Sequence, residues 1–129
     1  MALTSDDAFD LSESIRGIAV ALGDYRFKTW DSLSPKDRQA LEDAEWSLLD
    51  ASSNIRTQAV GLVLDETQTS VAKLKATTAK ARKAIKTIND VKKGIAIAAA
   101  TIALAGAIAS KDPGAIAKAA KGLYDAATA

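Results

Sequence analysis

Residues 94–110, GIAIAAATIALAGAIAS, limit what this chain can fold into more than any other stretch. The first sixteen, to Ala109, carry no charge: four isoleucines, one leucine, eight alanines, two glycines and a threonine. At about 100° per residue, Ile95 and Ile102 share one face, while Ile97, Leu104 and Ile108 lie nearly opposite. A helix that is apolar all round belongs in the centre of a bundle or in lipid. Sixteen residues rise about 24 Å, less than the hydrocarbon core of about 30 Å. Five strong hydrophobes contribute about −1.5 to −3 kcal/mol toward insertion. The stretch is therefore marginal as a permanent transmembrane span.

Two features keep a membrane role open. Ala96/Ala100 and Ala99/Ala103/Ala107 place small residues four apart, a spacing that lets helices approach closely in lipid. Lys92, Lys93 and Lys111 flank the run and can extend toward headgroups. The same small residues equally allow a central helix to pack against neighbours in water.

The rest of the chain has the punctuation of short helices. With 129 residues, 48% hydrophobic and 26% charged, it falls in the range of one globular domain. Two prolines, seven glycines and many alanines favour helices. Ser5 is read as the cap of a first helix, with Asp6 and Asp7 in its first turn. Leu11, Ile15, Ile18, Leu22 and Tyr25 form its apolar stripe, and it should fade between Lys28 and Ser32. Ser34-Pro35 opens a second helix, in which Leu41, Leu48, Ile55 and Leu62 repeat every seven residues.

Near Val60 the stripe changes register, onto Val60, Leu64, Val71, Leu74, Thr78, Ala81, Ile85 and Ile88. Such a shift means a kink, a stutter or a loop. Gly61 and the start signal Asp65-Glu66-Thr67-Gln68 make a break near 61–66 plausible, with an unbroken helix as the alternative. A basic amphipathic helix over about 66–93 follows. Asn89-Asp90 and Gly94 can then open a turn, and Asp112-Pro113 caps a last helix with Ile116, Ala120, Leu123 and Ala127 on one face. The expected fold is a single all-α domain over residues 1–129. It is a bundle of four to five helices, compact or elongated, with a central Ala/Ile-rich apolar helix.

Charge is divided along the chain. Residues 1–65 hold six Lys/Arg and twelve Asp/Glu, and residues 66–129 hold eleven and four. An internal match between the basic third helix and the acidic second one is the simpler reading. Alternatively Lys75, Arg82, Lys86, Lys92 and Lys93 contact an anionic surface, lipid before nucleic acid. Nucleic acid is the weaker partner because no aromatic accompanies this basic row and no DNA-reading motif is present. YRFKTW, residues 25–30, is read as a hydrophobic satellite closing the first turn, over a membrane anchor or a base-stacking cluster.

Enzymatic function is not expected. The chain has no histidine and no cysteine, which removes the usual base, thiol nucleophile and soft metal ligands. No Gly-rich phosphate loop is present, and no cofactor is expected. The start MALTSDDAFD lacks the basic-then-apolar order of a secretory signal. Synthesis in the cytoplasm is expected, with signal-independent export or membrane association left open.

In organisation alone, a helical bundle holding an apolar stretch resembles α-helical pore-forming toxins. The likeness rests on residues 94–110 and their neighbours, without a residue-by-residue match. It implies a membrane-associating or inserting protein acting as an oligomer. Ile95, Ile97, Ala99, Ile102, Ala103, Leu104 and Ile108 would then face lipid or sister helices. The alternative is a soluble interaction module that self-associates or binds a protein partner through its helix seams.

Overall fold

The computed structural model describes residues 2–129 and contains five α-helices. They are α1 (Ser5–Lys28), α2 (Pro35–Gln58), α3 (Val71–Lys86), α4 (Val91–Ser110) and α5 (Pro113–Thr128), with a 3-10 turn at Trp30–Ser32. The expected all-α bundle is therefore present. Around its circumference the helices run α1, α2, α4, α5, α3 and back to α1. This order sets α2 across the bundle from the α3–α5 pair. α4 packs mainly on α2 and α5, and also touches α1 and α3.

The caps explain the boundaries. Thr4, rather than Ser5, caps α1: its Oγ1 accepts from Asp7 N–H at 3.1 Å, and Asp7 Oδ2 accepts from Thr4 N–H at 3.0 Å. This reciprocal box needs a carboxylate three residues on; a cap at Ser5 would place Ala8 there. Ser34 caps α2 by accepting from Asp37 N–H, with Pro35 at the first helical position. Asp112 and Pro113 do the same for α5.

The register change is a loop. α2 ends at Gln58, and Gly61 takes a positive φ of 80°, which glycine adopts without a side-chain clash. Leu3 N–H donates to Leu62 O and Gly61 N–H to Leu3 O, so the buried N-terminal Leu3 pins this loop. Val60, expected in the new seam, lies outside a helix and is exposed. Residues 65–68 do not start α3. Asp65 Oδ1 accepts from Thr67 N–H and Oγ1–H, and its Oδ2 from Gln68 Nε2–H. The carboxylate thereby closes a single turn on itself, and Ser70 caps the helix instead. Expected seam residues Leu64, Leu74, Thr78, Ala81 and Ile85 are buried.

α3 and α4 are separate helices because Asp90 caps a new one, accepting from Lys92 N–H at 3.0 Å. Gly94 is not a turn residue. It is buried inside α4, where a Cβ would come within 2.9 Å of Ile88 Cδ1 and 3.2 Å of Leu22 Cδ1. α4 is thus 20 residues long, about 30 Å, and is long and apolar enough to cross a membrane.

α4 is not enclosed on all sides, as its composition suggested. Ile97, Leu104 and Ile108 enter the core, whereas Ala96, Ala99, Ala103 and Gly106 face solvent. Exposing methyl groups costs only about 0.8 kcal/mol per carbon, so an alanine stripe survives in water where isoleucines would not. The opposite face carries the large side chains into the core, beside Leu11, Ile18, Leu41, Leu48 and Leu123.

Candidate helix-docking groove

α3 and α5 pack through short side chains. Their facing positions include Ala76, Ala79, Ala117 and Ala120, and an open groove of about 1220 Å³ lies along the pair. Around it stand Lys73, Lys80 and Lys83 from α3 and Lys118 and Lys121 from α5. None of the described residues lining the groove is a carboxylate. Lys80 Nζ sits 5.2 Å from the Tyr124 ring centroid, a cation–π contact. Lys121 pairs with Asp125 one turn along α5 at 3.0 Å.

Helical spacing produces this row. Lys73, Lys80 and Lys83 follow at intervals of seven and three on the outward side of α3, while Leu74, Thr78, Ala81 and Ile85 fill the inward side. On α5, Ile116, Ala120, Leu123 and Ala127 turn inward as expected, and Lys118 and Lys121 remain exposed. Neither helix reveals the groove alone. It exists because the two lysine-bearing faces lie side by side.

The lysine row expected to meet an anionic surface, by contrast, is dispersed. Lys75 Nζ reaches Asp7 Oδ1 at 2.6 Å and Asp10 Oδ2 at 3.3 Å on α1. The hydrogen bond from Lys75, together with that from Thr4 N–H, lowers the Asp7 pKa to about 2, and the Asp7 and Asp10 carboxylates raise that of Lys75. Arg82 crosses Gly17 of α1, and with Lys86 it lines a shallow recess that also holds Glu13, Arg16 and Asp24. Lys93 Nζ donates to the Ala129 carbonyl oxygen at 2.7 Å, and Lys92 faces solvent. The acidic match for α3 is therefore α1, not α2. The connection order explains this, because α1 lies between them around the bundle.

Of the expected helix-association residues, Ile97, Leu104 and Ile108 serve the internal core. Ile95 and Ile102 are half-buried against it, and Ala99 and Ala103 are exposed. The aromatic run behaves as a corner. Tyr25 packs on the core, and Phe27 and Trp30 stack with centroids 6.3 Å apart. Arg26 and Arg38 lie over these rings, and Arg38 also donates twice to Trp30 O.

Two features were missed from the sequence. The first is the groove row Lys73, Lys80, Lys83, Lys118 and Lys121 with Tyr124. Its signal on α3 was a second lysine stripe offset from Lys75 and Arg82. The second is Trp46, 63% exposed in the middle of α2. It stands with Gln39, Asp43, Asp50 and Ser53 at spacings of four and three on the outward side of that helix.

No protein-family model matches the chain, and comparison with curated proteins and with solved structures finds no match.

Proposed function

We propose that this protein is a non-enzymatic docking module whose α3–α5 groove receives an acidic amphipathic helix. One observation carries the reading: five lysines border an alanine-lined groove that no carboxylate of the described residues enters. Lysines held on one side of a bundle repel one another and attract anionic partners. The alanine floor offers apolar surface without bulk, so a visiting helix can come close and seat a large side chain. Helix-in-groove recognition needs this pairing of apolar anchor points and charge at the edges. The size of the groove, about 1220 Å³, exceeds the roughly 300–1,000 Å³ of a small-molecule site.

The test is an NMR titration of the full chain with a synthetic acidic amphipathic helical peptide carrying one tryptophan. Shifts confined to α3 and α5, weakened by salt and abolished by Lys80→Glu/Lys118→Glu, are expected. Binding elsewhere, or binding unchanged by that variant, would sink the proposal.

A second reading, membrane insertion of α4, is favoured by its length and by its charge-free run from Gly94 to Ala109. Only 39% of its most apolar window is buried. Insertion requires Ile97, Leu104 and Ile108 to leave the core. Dye release from anionic vesicles, lost with Ile102→Asp, is the outcome this reading requires.

A further inference from the structure

The surface that best fits the groove is on the molecule itself, on the side that cannot reach it. We infer that the groove of one copy receives the outward face of α2 from a second copy, with Trp46 as the anchor, in a head-to-tail assembly. The inference rests on the docking reading above and names its partner.

Charge is complementary. Asp43 and Asp50 flank Trp46 on the exposed side of α2, and Asp50 has no ion pair among the described residues. The groove edge carries Lys73 and Lys80. Both pairs are seven residues apart, about 10 Å along a helix, so one register can match both carboxylates to both lysines. The exposed α2 stripe from Gln39 to Ser53 runs about 20 Å and the α3 edge of the groove from Lys73 to Lys83 about 15 Å, so the Asp43–Asp50 centre of the stripe lies within the length of the groove.

Trp46 supplies what the groove lacks. An exposed tryptophan in the middle of an acidic face has no role in its own core, and large aromatic residues dominate association energies once buried. The floor formed by Ala76, Ala117 and Ala120 with Tyr124 can cover an indole. Because α2 lies across the bundle from α3 and α5, the two surfaces cannot meet within one chain. A contact between unlike surfaces propagates from copy to copy, giving a ring if the rotation closes and a filament if it does not.

Sedimentation velocity on the full chain, over a concentration series at low and high salt, tests this. Mass should rise with concentration and fall with salt. Trp46→Ala should weaken association about tenfold or more. Lys80→Glu/Lys118→Glu should do the same from the other side. Both sites are exposed, and thermal unfolding followed by circular dichroism verifies that both variants remain folded. The decisive sample is an equimolar mixture of the two. The groove variant keeps an intact α2 face and the Trp46→Ala chain keeps an intact groove, so the mixture should form a 1:1 dimer that cannot grow.

A wild-type chain that stays monomeric at low salt overturns the inference, as does a mixture without a heterodimer. If the monomeric chain still binds the acidic peptide at α3 and α5, self-docking falls and the docking reading stands. If it binds neither, both fall. Association that survives both variants and requires anionic vesicles also overturns the inference and points to α4.

Discussion

The α1–α2 hairpin and the α3–α5 pair are both formed by adjacent helices of the same bundle, yet they are joined in opposite ways. Between α1 and α2 the contact is sealed. Leu11, Ile15, Ile18, Leu41 and Leu48 fill it with branched side chains. Ser12 and Ser52 clasp one another, each hydroxyl donating to the other's carbonyl at 2.8 and 2.9 Å. Arg26 Nε meets Glu45 Oε2 at 2.6 Å, and Arg56 reaches Glu13. Between α3 and α5 the outward positions are alanines and like-charged lysines.

The first pair satisfies every local rule of a stable interface: large apolar groups inside, polar atoms matched, opposite charges across. The second breaks two of them, leaving open space between the helices and, among the described residues, no opposite charge across it, since Lys121 pairs only with Asp125 of its own helix. Departures from local consistency cluster where a surface serves something outside the fold. By that criterion the α3–α5 face, not the α1–α2 seam, is the surface available to a partner.

The largest test of the contrast is in the sealed half. Leu48→Ala should cost about 2–5 kcal/mol, since it empties a fully buried site; urea unfolding measures it. A loss under 1 kcal/mol would show that the α1–α2 contact is not the rigid part.

Removing the charge across the same seam should cost less. Glu45→Gln leaves the Arg26 guanidinium, largely covered, without its carboxylate, and should cost about 1–2 kcal/mol. The Glu45 carboxylate also raises the Arg26 pKa, so the guanidinium remains charged across the accessible pH range.

Asp7 and Lys75 join the two halves, α1 to α3, and their contribution depends on acid. Held at about 2 when folded, against about 3.9 in an unfolded chain, Asp7 stabilises the protein above about pH 4. That stabilisation is lost as pH falls toward 2. Lys75→Met should return the Asp7 titration toward ordinary carboxylate values, read from its side-chain carbonyl shift, and narrow the difference in melting temperature between neutral and acidic solution. An unchanged titration would mean that Lys75 does not hold the carboxylate in solution.

The smallest stability effect is expected in the open half. Lys118→Glu replaces an exposed lysine among like charges and should change stability by less than about 0.5 kcal/mol. It should nevertheless weaken docking of an acidic helix. Equal losses in folding and docking would erase the distinction drawn between the two pairs.

Much of the fold was legible because it is local. Ser34-Pro35 and Asp112-Pro113 fixed two helix starts through their own hydrogen-bonding chemistry, and Leu41, Leu48 and Ile55 marked an inward stripe that is buried in full. Misjudged boundaries were those with competing local solutions. Thr4 and Ser5 are neighbouring caps, decided by Asp7; Asp65 could begin a helix or close a turn on itself. The candidate site was less legible, since spacing along α3 does not show which of its lysines meet carboxylates of another helix. Lys75 proved engaged with Asp7 and Asp10, whereas Lys73, Lys80 and Lys83 did not.

By itself the sequence determined an all-helical chain, its charge division and a charge-free segment apolar on all sides, because periodicity and capping act over one or two turns. Only the tertiary structure decided which helices are neighbours. That choice set α1 beside α3 to absorb one lysine row and left the other open with α5. It also turned α4 so that Ile97, Leu104 and Ile108 are inside and Ala96, Ala99, Ala103 and Gly106 outside. Each outcome depends on which surfaces fit together across the bundle, where side-chain volume and charge from distant parts of the chain meet.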